Sequence, residues 1–180
     1  MSKLNFKTVG ILGGSFDPPH KGHVKITKIS LNKIKISEVH WIVAKKNPFK
    51  KKTHYSLKDR IFRSKKALKN IENAKVLYID DKIKSSRMIK VINFYVKKKK
   101  KKKLYLIIGS DCLLDFHKWT SWKKIAKLAK LVVFSRKGYD KKSRESIAVK
   151  YINKKNIHFV NNKPIVISST SIKQKKLKTA

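Results

Sequence analysis

The sequence predicts an α/β fold: a single domain built on a Rossmann-like, doubly wound parallel sheet. Short apolar runs alternate with amphipathic helical patterns along the 180 residues, as they do in chains built from βαβ units. The run 104–108 is apolar throughout and ends in glycine, which is typical of a central parallel strand covered on both faces. Ligands of such sheets bind at the carboxyl ends of the strands, so residues that follow strands are the first site candidates.

Each remaining element has a local reason. Ser56 and Asp59 have the spacing of a capping box at a helix start, and the apolar residues that follow roughly track one helical face: Leu57, Ile61, Phe62, Ala67 and Leu68. A later helix is indicated by apolar positions at Met88, Ile89, Ile92 and Tyr95. We therefore predict strands over 9–12, 39–44, 74–79, 104–108, 131–134, 157–160 and 165–167, and helices over 23–31, from Ser56, over 85–96 and from Ser169.

The net charge of +38 ordinarily indicates a nucleic acid or an anionic membrane as partner. However, only five of the 48 basic residues are arginines, and specific recognition of bases and phosphates favours the planar arginine fork. A coding bias toward lysine, isoleucine and asparagine explains the charge without a function. We therefore predict no membrane partner and no specific nucleic-acid partner, with nonspecific polyanion binding only at low salt.

The length suits one domain over residues 1–180, in which the lysine run at 97–103 is an inserted connection. The lone cysteine, Cys112, suits a reducing compartment, and no apolar run approaches the length needed to span a membrane. We expect a soluble, cytoplasmic protein that is either a monomer or a homo-oligomer.

The segment after the first predicted strand combines two glycines with two histidines: Gly13-Gly14-Ser15-Phe16-Asp17-Pro18-Pro19-His20-Lys21-Gly22-His23. The glycines let the backbone turn sharply and approach a ligand. The helix that follows offers free N–H groups and a positive dipole end to an anion. Because His20 and His23 lie three residues apart in its first turn, both imidazoles face the same anion. The segment therefore predicts a nucleoside triphosphate site.

Three segments together resemble the nucleotidylyltransferase superfamily, whose signature is [HT]-x-Gly-His, and the first looks most like bacterial nicotinate-nucleotide adenylyltransferases. The second is Ile108-Gly109-Ser110-Asp111 with Phe116 and Trp119, similar to the family's Gly-x-Asp…Phe…Trp segment. The third, similar to the family's Ile-Ser-Ser-Thr-x-Ile-Arg element, is Ile167-Ser168-Ser169-Thr170-Ser171-Ile172-Lys173. All three fall in the family's order.

The resemblance implies transfer of the adenylyl group of ATP to nicotinate mononucleotide, giving deamido-NAD and pyrophosphate in NAD biosynthesis. It implies Mg²⁺ carried by the ATP phosphates and catalytic roles for His20 and His23 as donors to those phosphates. The implied ATP-binding residues are Gly13, Gly14, Ser15, Phe16, His20, His23, Ser168, Ser169, Thr170 and Lys173. The implied nicotinate-nucleotide-binding residues are Asn47, Ser86, Gly109, Asp111, Trp119 and Arg136, with Trp119 stacking on the pyridine ring.

Two departures from the family pattern keep alternatives open. Lys173 stands where the family has arginine, so a point charge replaces a fork and weaker ATP binding is expected. Ser85-Ser86-Arg87 stands where many members have Ser-Tyr-Thr, which leaves nicotinamide mononucleotide and phosphopantetheine as alternative acceptors. A different class of function is a non-catalytic, basic nucleic-acid-binding protein that keeps only the fold, with salt-dependent binding and little ATP turnover.

Overall fold

The computed structural model describes residues 7–46, 53–98 and 103–165, together with Ser169. Within these ranges the chain forms six strands: β1 (Thr8–Gly14), β2 (Glu38–Val43), β3 (Ala74–Leu77), β4 (Lys103–Gly109), β5 (Lys130–Arg136) and β6 (Ile157–Ile165). All pairings are parallel, and the spatial order is β3-β2-β1-β4-β5-β6. The predicted doubly wound parallel sheet is confirmed.

Eight α-helices connect these strands in the described part of the chain: α1 (Lys21–Asn32), α2 (Leu57–Leu68), α3 (Asp80–Ile83), α4 (Met88–Lys98), α5 (Ser110–Leu114), α6 (Trp122–Leu128), α7 (Asp140–Arg144) and α8 (Ile147–Tyr151). Short 3₁₀ turns lie at Phe116–Lys118 and Lys154–Asn156. Among these helices, none is long and apolar enough to cross a membrane.

Apolar cores cover both faces of the sheet. Successive strand residues point to opposite faces, so Leu106 of β4 packs in one core and its neighbour Ile107 packs in the other. The first core includes side chains from α4, α5, α6 and α8, and the second includes side chains from α1 and α2. Burial on both faces explains why β4 is an uninterrupted apolar run in the sequence.

The edge strand β6 differs from the prediction of two separate short strands at 157–160 and 165–167. It is one strand to Ile165, with a shift in its register against β5 between Phe134 and Arg136. At the shift the Ser135 N–H donates to the side-chain Oδ1 of Asn162 at 3.1 Å. The irregularity is therefore accommodated by an asparagine side chain, while residues 166 and 167 lie outside the described part.

Helix boundaries also differ from the prediction. Helix α1 begins at Lys21, two residues earlier than expected, and α4 begins at Met88 rather than at Ser85. Ser85 instead accepts a hydrogen bond from the Arg87 N–H at 3.1 Å, which makes a turn before the helix. The short helices α3 and α5 to α8 were not predicted, because four to seven residues hold too little periodicity to detect.

Helix α2 confirms the predicted cap but not the whole predicted apolar face. Ser56 is the N-cap, and its Oγ accepts from the Asp59 N–H at 3.1 Å. Phe62, which was predicted on the buried face, is 66% exposed. The buried stripe is instead Arg60, Ser64 and Leu68, spaced four residues apart.

The order of the strands places the predicted site residues at one end of the sheet. Strands β1 and β4 are neighbours whose connections leave in opposite directions, and a crevice forms where the strand order reverses in this way. Gly13, Gly109 and Arg136 all lie at carboxyl ends of strands. The lysine run at 97–103 begins in the end of α4 and leads into the amino end of β4, so it joins the sheet at the opposite end.

The Ser56 cap gives a direct test of local stability. Ser56→Ala removes the acceptor of the Asp59 N–H, so we expect the free energy of unfolding to fall by about 1 kcal/mol. The midpoint of thermal unfolding should fall by about 2–4 °C. Denaturant titration and calorimetry measure the two quantities.

The matched control is Ser64→Ala in the same helix. The Ser64 hydroxyl is buried and has no hydrogen-bond partner among the described residues. Its removal should therefore not destabilise the chain. Equal losses from the two substitutions would contradict the assignment of the cap.

Candidate active site

The turn after β1 brings two glycines against other chain segments. Gly13 and Gly14 end the strand, and a Cβ built at Gly13 would collide with the terminal methyl of Met88 at the start of α4. The next residue but one, Phe16, has a positive φ of 48°. The backbone thus turns sharply between β1 and α1, as the sequence predicts for a loop that approaches a ligand.

The two histidines of this turn lie in contact at the amino end of α1. His20 is the N-cap and His23 is the third residue of the helix, with ring centroids 3.8 Å apart. The His20 backbone N–H donates to Nδ1 of His23 at 3.2 Å. Because Nδ1 accepts, the hydrogen of a neutral His23 lies on Nε2. His23 therefore caps the helix with one nitrogen and presents an N–H donor with the other.

His20 is a neutral imidazole at pH 7. Burial and, to a smaller extent, the nearby positive charge of Arg136 together lower its pKa to about 4. Its Nδ1 is buried and has no hydrogen-bond partner among the described residues. A buried polar nitrogen without a partner is costly in a folded protein, so this atom is suited to a ligand.

An aromatic stack fixes the turn from behind. Phe16 is buried and stacks on Trp41 of β2, with ring centroids 4.7 Å apart and an interplanar angle of 10°. The Trp41 indole also lies 5.7 Å from His23 and donates to Oγ1 of Thr27 at 2.7 Å. The Phe16 side chain thus belongs to the core, which leaves the backbone of the turn to face a ligand. Trp41 was missed because strand periodicity marks it only as a core residue.

Asp111 and Arg136 form the opposite side of the crevice. Oδ2 of Asp111 lies 3.5 Å from Nε of Arg136, and Oδ1 of Asp111 is buried with no hydrogen-bond partner among the described residues. A Cβ built at Gly109 would lie 2.8 Å from Cδ of Arg136 and would also collide with Oδ1 of Asp111. Glycine at 109 therefore leaves the space that this ion pair occupies.

The backbone of Arg136 is held by two acceptors. Its N–H donates to Oγ of Ser110 at 3.0 Å and to Oδ1 of Asp140 at 3.2 Å. The turn that follows is closed by the Tyr139 N–H, which donates to the Arg136 carbonyl at 3.1 Å. Gly138 lies inside this turn with a φ of 85°, a conformation that favours glycine. This geometry fixes where the Arg136 side chain leaves the sheet.

A buried charge ties the loops around the turn together, and the sequence did not reveal it. Arg60 of α2 is 1% exposed and donates to the carbonyls of Ser15 and Ala44 from Nη1, of Lys45 from Nη2 and of Tyr55 from Nε. Burial lowers the pKa of the guanidinium, while the field of Asp17 opposes this shift. The only signal in the sequence is an arginine on the buried stripe of an amphipathic helix.

Ser86 lies beside the same loops, and its hydroxyl is occupied. It donates to Asp80, whose Oδ2 also accepts from the Lys45 N–H at 2.7 Å. The Lys46 N–H approaches Oγ of Ser86 at 3.4 Å. Ser86 therefore holds the chain that precedes Asn47, which itself lies outside the described residues.

Trp119 lies at the edge of the first core. Its ring is half-buried, 5.2 Å from the ring of Phe116, and packs against that core. Trp122 makes similar contacts with Phe116 and with Tyr151. The contacts in the structure are those of core packing, and stacking of Trp119 on a pyridine ring stays a prediction.

Ser169 joins the third sequence segment to the first. Its Oγ donates to the carbonyl of Pro18 at 2.9 Å, across 151 positions of sequence. The contact places this residue beside the turn that carries the histidines. Its predicted companions Ser168, Thr170 and Lys173 lie outside the described residues.

The arrangement is suited to an anion with several charged oxygens. Two imidazoles at a helix amino end and the Arg136 guanidinium offer donors, and the Asp111 carboxylate offers an acceptor. Across residues 7–46, 53–98 and 103–165, no group of three or more His, Cys, Asp or Glu side chains is placed to hold a metal ion.

The cytidylyltransferase-like family profile matches residues 11–175. A probable nicotinate-nucleotide adenylyltransferase of Pelagibacter ubique (strain HTCC1062) is 40% identical over 166 residues, covering 92% of each chain. A protein of the same description from Helicobacter pylori (strain ATCC 700392 / 26695) is 37% identical, over 77% of this chain and 80% of its own.

Solved structures show the same fold. A Plasmodium falciparum nicotinic acid mononucleotide adenylyltransferase complexed with NaAD superposes with a TM-score of 0.76, at 17% identity, covering 93% of this chain and 83% of its own. Together with the sequence relatives, the profile shows that the chain belongs to the cytidylyltransferase-like family and, within it, to the nicotinate-nucleotide adenylyltransferases.

Proposed function

We propose that the chain transfers the adenylyl group of ATP to nicotinate mononucleotide, giving deamido-NAD and pyrophosphate. The observation that carries this proposal is the pair of stacked imidazoles at the amino end of α1, facing Arg136 and Asp111 across the crevice between β1 and β4. The sequence relatives of this chain are described as probable nicotinate-nucleotide adenylyltransferases, and a solved structure with the same fold is complexed with NaAD. We assign the reaction to the cytoplasm.

The reaction needs positioning more than covalent chemistry. A phosphate oxygen of nicotinate mononucleotide attacks the α-phosphorus of ATP; the new P–O bond forms as the bond to pyrophosphate breaks in line. We assign His20 and His23 to donate to the α-phosphate and the leaving phosphates, where negative charge develops. We also assign ATP contacts to Gly13, Gly14, Ser15, the Phe16 backbone, Ser168, Ser169, Thr170 and Lys173.

Mg²⁺ fits this site as an ion carried by the ATP phosphates. Asp111, on the opposite side of the crevice from the histidine pair, is already paired with Arg136, so the donor set suits an ion that retains phosphate and water ligands. When bound, Mg²⁺ neutralises part of the phosphate charge.

The second nucleotide is assigned to the opposite side of the crevice. We propose that Gly109, Asp111 and Arg136 contact it directly, and that the unpartnered Oδ1 of Asp111 accepts from one of its donors. Asn47 and Trp119 complete this assignment. Ser86 acts indirectly, since its hydroxyl holds Asp80 and the chain before Asn47.

Pyrophosphate release from ATP and Mg²⁺ tests the function and separates the alternatives. Nicotinate mononucleotide, nicotinamide mononucleotide and phosphopantetheine should be supplied in parallel at moderate salt. Preference for nicotinate mononucleotide supports the proposal. Preference for another acceptor would identify that acceptor as the second substrate. Release of pyrophosphate with none of them would favour the non-catalytic alternative.

His23→Ala tests the role of the histidine pair. Removing one donor to the developing charge should lower kcat about 10²–10³-fold. Steady-state pyrophosphate release measures this loss. His158→Ala is the control, since His158 is exposed on β6, and turnover should be unchanged. Wild-type turnover in His23→Ala would show that the role is wrongly assigned.

The low pKa of His20 predicts that ATP binding takes up a proton. In the protein without ATP, His20 has a pKa of about 4. A polyphosphate beside the imidazole raises that pKa. Between the free and bound pKa values the complex holds more protons than the free protein, so ATP affinity should rise as pH falls from neutrality.

Calorimetry in buffers of different ionisation enthalpy measures this proton uptake. Proton uptake by ATP itself occurs with any variant, so the informative quantity is the difference between wild type and His20→Gln. No difference between them would mean that His20 does not change its protonation on binding.

Gly109→Ala tests the crevice wall. The residue has a φ of −85°, which any amino acid adopts, so the substitution brings no backbone strain. The added methyl would displace the Asp111–Arg136 pair. We expect turnover to fall about 10²-fold from misplacement of these side chains, with the midpoint of thermal unfolding nearly unchanged. Unchanged turnover would show that the Asp111–Arg136 pair has no role in the reaction.

A further inference from the structure

Arg60 of α2 donates hydrogen bonds to several of the loops around the candidate site. Four of the five N–H donors of its guanidinium reach backbone carbonyls, at distances of 2.7 to 3.3 Å. These carbonyls come from three separate segments: the histidine turn at Ser15, the end of β2 at Ala44 and Lys45, and the approach to α2 at Tyr55. One side chain thus fixes three loops with respect to each other.

Asp17 completes the arrangement from inside the histidine turn. Asp17 is 1% exposed, and its carboxylate accepts from the backbone N–H groups of His54 and Tyr55, each at 2.8 Å. The Tyr55 peptide is therefore held at its N–H by Asp17 and at its carbonyl by Arg60. Arg60 and Asp17 are both buried, and both bind backbone groups. Substitution of side chains at other positions leaves these backbone partners in place.

We propose that Arg60 is a positioning residue that sets the spacing between the two substrates. This inference rests on the proposed function. Its contact with Ser15 fixes the turn that carries His20 and His23 to ATP. Its contact with the Lys45 carbonyl fixes the chain after β2, where the next N–H, that of Lys46, approaches Ser86 on the side assigned to the second nucleotide. The guanidinium thus links the ATP side of the crevice to the side of the attacking nucleotide.

The fork geometry of arginine is essential to this role. Lysine at position 60 retains the charge, but its three donors leave from one nitrogen and cannot reach carbonyls that surround a planar group. Each substrate keeps its own contacts in such a variant, while the distance and angle between them change. In-line transfer is sensitive to that geometry, since a displacement of about 1 Å can cost about 10²-fold in rate.

Steady-state kinetics on Arg60→Lys tests the inference. We expect kcat to fall about 10²-fold, with KM for ATP and for nicotinate mononucleotide nearly unchanged. Arg63→Lys is the matched control: Arg63 lies three residues further along the same helix, is exposed, and packs its guanidinium over the Tyr55 ring at 4.3 Å. It should keep wild-type kcat.

Chemical rescue separates positioning from folding. Arg60→Ala leaves a cavity lined by the four carbonyls, and guanidinium chloride at a low, non-denaturing concentration should restore part of kcat. Sodium chloride at the same ionic strength should not. Circular dichroism and the midpoint of thermal unfolding report the folded fraction, to which every rate is normalised.

The outcomes are distinct. If the wild-type protein has no turnover, the proposed function fails first. If the wild-type protein is active and folded Arg60→Lys matches its kcat, or loses only substrate affinity, the positioning role is wrong. If folded Arg60→Ala is not rescued by guanidinium, or if neither variant folds, Arg60 serves the fold alone and the inference is overturned.

Discussion

The reversal of strand order between β1 and β4 is the constraint on which the site depends. It opens a crevice at the carboxyl ends of β1 and β4, because the connections that follow these two strands leave in opposite directions. Gly13 and Gly109 lie at these strand ends; a Cβ at Gly13 would collide with the terminal methyl of Met88, and one at Gly109 would collide with the Asp111–Arg136 pair. Glycine at these two positions therefore leaves room for Met88 at one strand end and for the ion pair at the other.

The large positive charge and the specificity of the site have separate origins. Four of the five arginines use the guanidinium in a specific contact: Arg60 on four carbonyls, Arg136 on Asp111, and Arg63 and Arg144 on aromatic rings. The carboxylates Asp17, Asp80 and Asp140 hold loops through backbone N–H groups. Lysine supplies most of the net charge, which attracts anions over a distance set by the salt concentration.

The sequence predicts those parts of the site that lie within one loop. The glycine turn, the histidine pair and the Ser56 cap each follow from neighbouring residues, and the structure has all three. The roles of Arg60 and Trp41 were not predicted, because their partners are carbonyls and rings from distant segments, which no local pattern encodes. Phe62 was misplaced for a related reason, since the buried stripe of α2 includes a charged residue that hydrophobic periodicity counts as exposed.

The cap made by His23 links its structural role to its chemical one. While Nδ1 accepts from the His20 N–H, His23 is neutral and its Nε2 can only donate. Protonation would turn Nδ1 into a donor and remove the acceptor of the His20 N–H. A phosphate oxygen at the amino end of α1 can replace that acceptor, so a bound polyphosphate supports the imidazolium in two ways, through its charge and by taking over the cap. In the free chain, by contrast, burial and the charge of Arg136 lower the pKa of His20 and keep its imidazole neutral. Under the proposed function, a positive charge on His20 therefore arises in the complex with ATP and not in the free chain.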